Sequence, residues 1–141
     1  MKSYVLLGIQ LLVISWLLAT RTWRLAPAWA GVELFGVAIV VWAIGTMKPH
    51  RVNPLPEVRH DAQLITGGPY RFVRHPIYSG GLIAMLAFVL NAPTIFGGIA
   101  WLILLVNLLI KLNYEETLLT QRFPDYVTYR QRTWKLLPFV Y

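Results

Sequence analysis

Two adjacent carboxylates, Glu115 and Glu116, directly follow an apolar run, and Lys111 stands one helical turn before the first of them. Upstream, Arg71, Arg74 and His75 lie against Pro76, where another uncharged run begins. A Gly- and Pro-rich segment, "TGGPY" at 66–70, leads into these cations. Carboxylates hold cationic ligands through charge-assisted hydrogen bonds. Carboxylates and His are also the side chains that take a proton from an acceptor. Together these residues could surround a cationic small molecule with an adenine or ribose to stack and hydrogen-bond. Other chemistry is excluded. The chain has no Cys, hence no disulfide framework, thiolate nucleophile or thiolate metal site. His50, His60 and His75 show no i,i+4 pairing, so their spacing predicts no metal site.

The elements that must position these groups read as membrane spans. The 141 residues fit one domain. A hydrophobic share of 57% with 13% charged residues excludes disorder and argues against an ordinary soluble domain. Six Trp and seven Tyr suit the aromatic belts at headgroup level. A net charge of +7 on so apolar a body points to anionic headgroups or an anionic ligand, and away from nucleic acid.

Residues 3–20 carry no charge and approach the ~20 residues that cross a bilayer. Lys2 before them and "AWA" at 28–30 resemble a signal peptide, but Arg21 and Arg24 separate the run from that site. Residues 25–47 form a second span, interrupted only by Glu33, which is expected to pair with Arg24 at the interface. From His75 to Ile110 there is no formal charge. One helix over that stretch would be about 54 Å long, against a hydrocarbon core of ~30 Å. It must fold back, and "NAP" at 91–93 supplies the turn, giving spans over 76–91 and 93–111 with the fourth continuing past Lys111.

The cations then fall into place. Lys2, the 48–74 connection (Lys48, Arg51, Arg59, Arg71, Arg74) and the tail (Lys111, Arg122, Arg130, Arg132, Lys135) share one side, leaving only Arg21 and Arg24 on the other. By the positive-inside rule both termini are expected in the cytoplasm. "NPLPE" at 53–57 and "TGGPY" make the 48–74 connection mostly irregular backbone. Pro124 suits a helix start, and Phe123, Tyr126, Tyr129, Thr133 and Trp134 recur at helical spacing. This predicts a C-terminal amphipathic helix lying on the membrane. The fold class is therefore an all-α, multi-pass membrane protein with about four transmembrane helices, a cytoplasmic Gly/Pro-rich loop and that final helix.

The run "TGGPYRFVRHPIYSGG" at 66–81, followed 35 residues after Gly80 by the Glu pair and then by the aromatic tail, resembles the isoprenylcysteine carboxyl methyltransferase family. That family belongs to a wider group of integral-membrane methyltransferases that includes phospholipid N-methyltransferases. The likeness covers about residues 50–141. It implies S-adenosylmethionine as the methyl donor, and the chain carries no G-x-G-x-x-G of a nucleotide-binding Rossmann domain. It places cofactor contacts on Ala62, Gln63, Leu64 and Ile65, largely through backbone, and on Tyr70, His75, Pro76, Ile77, Tyr78 and Glu115. It places the acceptor-binding cation at Lys111, where the family has Arg; a point charge replaces a planar fork there.

Positioning falls to Arg74 and Glu116. Glu115 shares a helix face with Lys111, whereas Glu116 is rotated by about 100° and is expected to play a supporting or solvated part. The implied acceptor is a prenylated cysteine carboxylate or a similar lipid-like molecule at the cytoplasmic face. A phospholipid amine is the alternative acceptor, and a non-catalytic, lipid-binding four-span module is the alternative from another class. Membrane lipids are expected partners and nucleic acid is not; the sequence leaves the oligomeric state open.

Overall fold

The computed structural model describes residues 2–20, 26–47, 55 and 63–141. Among the described residues five α-helices follow in order: α1 (Lys2–Ala19), α2 (Pro27–Met47), α3 (Pro76–Asn91), α4 (Ile95–Arg122) and the short α5 (Tyr126–Gln131). A 3-10 turn, Gly68–Arg71, precedes α3. α1, α2 and α4 are each long and apolar enough to cross a membrane, while α3 is a shorter apolar helix. At 1.5 Å per residue α3 is about 24 Å long.

The helix ends follow local chemistry. Pro76 opens α3 where its missing N–H costs nothing. The turn expected at "NAP" is present, and Thr94 caps α4 by accepting a hydrogen bond from Gly97 N at 3.0 Å. Asn91, at the end of α3, accepts from Ala26 N at 2.8 Å and so ties the start of α2 to this turn. α4 runs on past Lys111 to Arg122 and carries the Glu pair beyond its apolar stretch, as its sequence predicts.

α2 packs along α3, α3 packs on α4, and α1 packs on α4. The α2–α3 contact requires glycine on both sides. A Cβ on Gly36 would lie 2.6 Å from Gly80 O, and one on Gly80 would lie 2.5 Å from Gly36 O. The two backbones therefore approach as closely as small residues permit. The core joins Val13 and Leu17 of α1, Leu82 and Val89 of α3, and Ala100, Leu104, Leu108 and Leu112 of α4. Around it, large apolar side chains such as Leu34, Phe35, Val41, Phe96, Leu102 and Val106 face outward. Helices apolar on every side suit lipid on their outer faces.

The tail departs from the long amphipathic helix expected over 123–134. α5 ends at Gln131, and Val73 and Trp134 form an isolated parallel bridge. Backbone pairing with the segment before α3 outcompetes continued helix there. Of the residues with expected roles, Ala62 lies outside the described residues, as do His50, His60 and Arg24.

Candidate functional site

The site is assembled where the start of α3, the last turns of α4 and the C-terminal tail meet. Arg74 N donates to Trp134 O at 2.8 Å, His75 N to Lys135 O at 3.1 Å, and Trp134 N to Phe72 O at 3.1 Å. One residue further on, Ser79 Oγ donates to Leu136 O at 2.6 Å. The tail is thus threaded beside residues 72–75 and covers the first turn of α3. The irregular segment and the tail each satisfy polar backbone groups that the other would leave orphaned.

Glu116 is the hub of this junction. Its Oε1 accepts from Arg74 Nε at 2.6 Å, and both side chains are nearly buried, at 7% and 6% exposure. Arg74 Nη1 donates to Arg130 O at 3.2 Å, to Thr133 Oγ1 at 3.3 Å and, at short range, to Thr133 O. Arg130 Nε and Lys135 Nζ each lie 3.9 Å from Glu116 Oε2. A planar guanidinium can serve a carboxylate and two carbonyls lying in one plane, a geometry the tetrahedral donors of an ammonium do not match. Of the two parts expected of Glu116, supporting or solvated, its burial at 4% exposure excludes the solvated one. α4 turns that carboxylate under the tail, where three cations surround it.

Glu115 faces the other way and meets α3. Tyr78 Oη donates to Glu115 Oε1 at 2.5 Å. His75 Nδ1 lies 3.5 Å from Glu115 Oε2, and His75 Nε2 lies 3.5 Å from Glu116 Oε1. These are charge contacts at the edge of hydrogen-bond range, and Nε2 has no hydrogen-bond partner. The His75 and Tyr78 rings are parallel within 3°, with centroids 5.5 Å apart. Burial alone pushes the His75 imidazole towards its neutral form. The carboxylates of Glu115 and Glu116 on its two sides outweigh it and raise the pKa above the usual value.

Three tyrosines stand around the two glutamates. Tyr129 Oη donates to Tyr70 O at 2.6 Å, fixing the 3-10 turn against α5. Burial, then the charges of Tyr129 and Glu115, raise the Tyr70 pKa. Burial is also the largest cause for Tyr126, which is raised, and for Tyr129, which is pushed up to about 12. All three remain neutral donors near pH 7. The hydroxyls of Tyr70 and Tyr126 are buried and have no hydrogen-bond partner, as is His75 Nε2. Buried polar atoms without partners are uncommon and call for an explanation. A ligand with hydrogen-bonding groups beside Glu115 would answer it for Tyr70 and His75, while Tyr126 stands by Glu116 and Arg74. S-adenosylmethionine would fit these residues, its positive charge opposite Glu115 and its polar groups towards Tyr70 and His75.

The other residues singled out are distributed as follows. Pro76 is buried and Ile77 is half-buried at the start of α3, next to His75. Gln63, Leu64 and Ile65 precede the 3-10 turn without regular secondary structure, Gln63 being exposed. Lys111 is 1% exposed. Its Nζ donates to Gln10 Oε1 of α1 at 3.0 Å and lies 5.3 Å from the centre of the Tyr78 ring. Tyr126, Thr133 and Gln10 carry parts of the junction that sequence reasoning did not assign. The helical spacing over 123–134 was the available signal for Tyr126 and Thr133; nothing in the sequence marks Gln10. Among the described residues, no group of three His, Cys, Asp or Glu could hold a metal ion.

Because the tail supplies Tyr126 and the carbonyls that hold Arg74, truncation after Gln121 is expected to abolish S-adenosylmethionine binding while the apolar helices still insert. Calorimetry on the truncated protein in detergent checks this. Normal affinity would reduce the tail to an anchor.

The phospholipid methyltransferase family matches residues 26–126, from the start of α2 to the first residue of α5. A search of the curated proteins finds no match.

Proposed function

We propose that this chain, which belongs to the phospholipid methyltransferase family, transfers a methyl group from S-adenosylmethionine to the head of a lipid-like acceptor at the cytoplasmic membrane face. Membership makes it a membrane methyltransferase, and its apolar helices agree. The observation that carries the reading is the cluster of Glu115, Tyr78 and His75, with the buried, unpartnered hydroxyl of Tyr70 beside it.

S-adenosylmethionine supplies a methyl group on a sulfonium, so the acceptor attacks in line and a neutral thioether leaves. The protein's task is then mainly to align donor and acceptor. Glu115 offsets the positive charge of the donor, and Tyr78 holds that carboxylate in a fixed rotamer. Tyr70 offers a hydrogen bond beside it. Arg74 and Glu116 hold the tail over the pocket and exclude water. The apolar exterior lets an acceptor keep its chain in the bilayer while its head reaches the site.

The favoured acceptor is a carboxylate, as on a prenylated cysteine. It is ionised at pH 7 and needs no base. Both glutamates are already engaged by donors, Glu116 by Arg74 and Glu115 by Tyr78. A phospholipid amine is the second reading, with which the family match is equally consistent. Its ammonium must first lose a proton, and a carboxylate, Glu115 or Glu116, would be the group to take it.

Membranes containing the protein, given methyl-labelled donor with either a prenylated cysteine or phosphatidylethanolamine, separate the two. Label released as volatile methanol by mild base identifies an ester. Base-stable label in extracted lipid identifies an amine product. No incorporation together with no donor binding would leave a non-catalytic lipid-binding module. The orientation is tested in intact cells with an impermeant thiol reagent. A cysteine at the exposed Val140 is expected to be shielded and one at the exposed Pro27 to react. Labelling of Val140 from outside would reverse the topology.

A further inference from the structure

We infer that residues 136–141 form a membrane-seated hook: their apolar side chains enter the leaflet on the side of the candidate site, and lipid is the partner that covers them. This role is independent of the methyl acceptor. The family match ends at residue 126, so nothing in that match assigns the segment a role.

The backbone fixes where this segment lies. Ser79 stands one turn inside α3, and its Oγ donates to Leu136 O at 2.6 Å. The next residue, Gly80, packs on Gly36 in the middle of α2. Leu136 is therefore held at the level of the apolar spans, deeper than the end of α2 at Met47 and the start of α3 at Pro76. Leu136 is itself buried, but Leu137, Val140 and Tyr141 are exposed. Phe139, at 84%, is the most exposed large apolar side chain among the described residues. The chain turns there through a positive φ of 66°, and the ring rests against Trp134 with centroids 4.6 Å apart. An apolar tip presented at the depth of a spanning helix meets lipid.

The hook's own bonding suits a place with little water. Leu136 N and Leu137 N both donate to Tyr141 O, at 2.8 and 3.1 Å. Val140 N and Tyr141 N both donate to Leu137 O, at 3.2 and 3.1 Å. Pro138 has no N–H, so four of the five N–H groups of 136–141 are paired within the hook. Irregular backbone is tolerated near hydrocarbon only where its polar groups are satisfied in this way. Charge is distributed to match. The segment carries no charged side chain, and cations stand at its edge. Lys135, immediately before it, donates to Asn113 Oδ1 at 2.9 Å and to Tyr141 Oη at 3.1 Å. Arg71 lies 5.4 Å from the ring of Phe72, an exposed residue whose carbonyl receives Trp134 N. Apolar tips flanked by aromatic rings and cations are built for the headgroup and acyl boundary, about 5–10 Å deep. The hook thus takes over the membrane contact that helical spacing over 123–134 assigned to a longer helix. Arg130 and Thr133, whose carbonyls receive Arg74, precede it in the same tail, so lipid and the Arg74–Glu116 pair hold one segment from two ends.

The chain has no Cys, so one introduced thiol labels one place. Full-length Leu137→Cys, Val140→Cys and, as control, Gln121→Cys each receive an environment-sensitive fluorophore and are reconstituted in phosphatidylcholine vesicles. Gln121 is exposed near the end of α4, about 15 Å beyond Lys111 along the helix. The vesicles carry a nitroxide either near the top of the acyl chain or near its end, and iodide serves as the aqueous quencher. Emission from 137 and 140 should be quenched more by the upper nitroxide than by the lower, and little by iodide. Emission from 121 should respond to iodide alone. With the label on 140, Phe139→Asp should reduce the nitroxide quenching severalfold and Phe139→Trp should keep it. Thermal unfolding checks that the variants compared are folded, and the labels on the unsubstituted hook decide should Phe139→Asp not fold. Iodide quenching at 137 and 140 as strong as at 121 would place the hook in water. Shielding from both quenchers would mean that protein covers it, from this chain or a second copy. Equal nitroxide quenching in two folded Phe139 variants would show that lipid does not hold the ring. Each of these results overturns the inference. Gln121, outside the leaflet, is also a better site than Val140 for the orientation test, since lipid shields a thiol at Val140 from either side.

Discussion

Arg74→Met is expected to cost about 3–5 kcal/mol of stability, because it leaves the nearly buried Glu116 carboxylate without its closest partner. It also removes the donor to the carbonyls of Arg130 and Thr133, so the tail loses its anchor. Thermal unfolding in detergent should show the lower stability. Limited proteolysis should show faster cleavage within 123–141 while α4 stays protected. Arg74→Lys should recover only part of the loss, since an ammonium cannot reach Glu116 and both carbonyls in one plane. Substituting both partners with apolar side chains should be milder than Arg74→Met, because no orphaned charge remains. A change below about 1 kcal/mol for Arg74→Met, the range of exposed pairs, would show that the junction is open to water.

Glu115→Gln is expected to weaken S-adenosylmethionine binding about ten- to a hundredfold, the contribution of a charge-assisted hydrogen bond in a partly desolvated site. Glu115 is placed for this by Tyr78 at 2.5 Å and by His75 at 3.5 Å. Calorimetry reads the affinity and thermal unfolding reads the fold, which separates this residue from its neighbour. Glu116→Gln should act mainly through stability, since its partner Arg74 ties down the tail. If Glu116→Gln lowers donor affinity more than Glu115→Gln at temperatures where both are folded, the assignment of the two carboxylates is inverted. Unchanged affinity in both would remove the glutamates from the donor site.

The helices were legible in the sequence because the constraint on them is one-dimensional. An uncharged stretch too long for one crossing has to turn, and only "NAP" allowed it; α3 ends at Asn91 and α4 starts at Ile95. The passage of α4 beyond Lys111 followed from the same reasoning. The residues of the site were legible as types, with Glu115, His75, Tyr78 and Tyr70 brought to one place by the fold. Their partners were not. Arg74 meets Glu116 across 42 positions, Tyr129 meets the Tyr70 carbonyl across 59, and Gln10 meets Lys111 across 101. No periodicity links such pairs.

The tail shows why local pattern is insufficient. Helical aromatic spacing over 123–134 was real, yet the helix ends at Gln131 because the backbone of 134–135 finds partners in 72–75. Composition and run length alone mark this chain as a set of apolar helices with its polar chemistry gathered at the ends of two of them. Both follow from hydrophobic run length and from the cost of placing charge in lipid. Only the tertiary structure decided which glutamate faces α3 and which lies under the tail. A rotation of about 100° between adjacent helical residues separates them, but what stands on each side depends on elements far away in the chain.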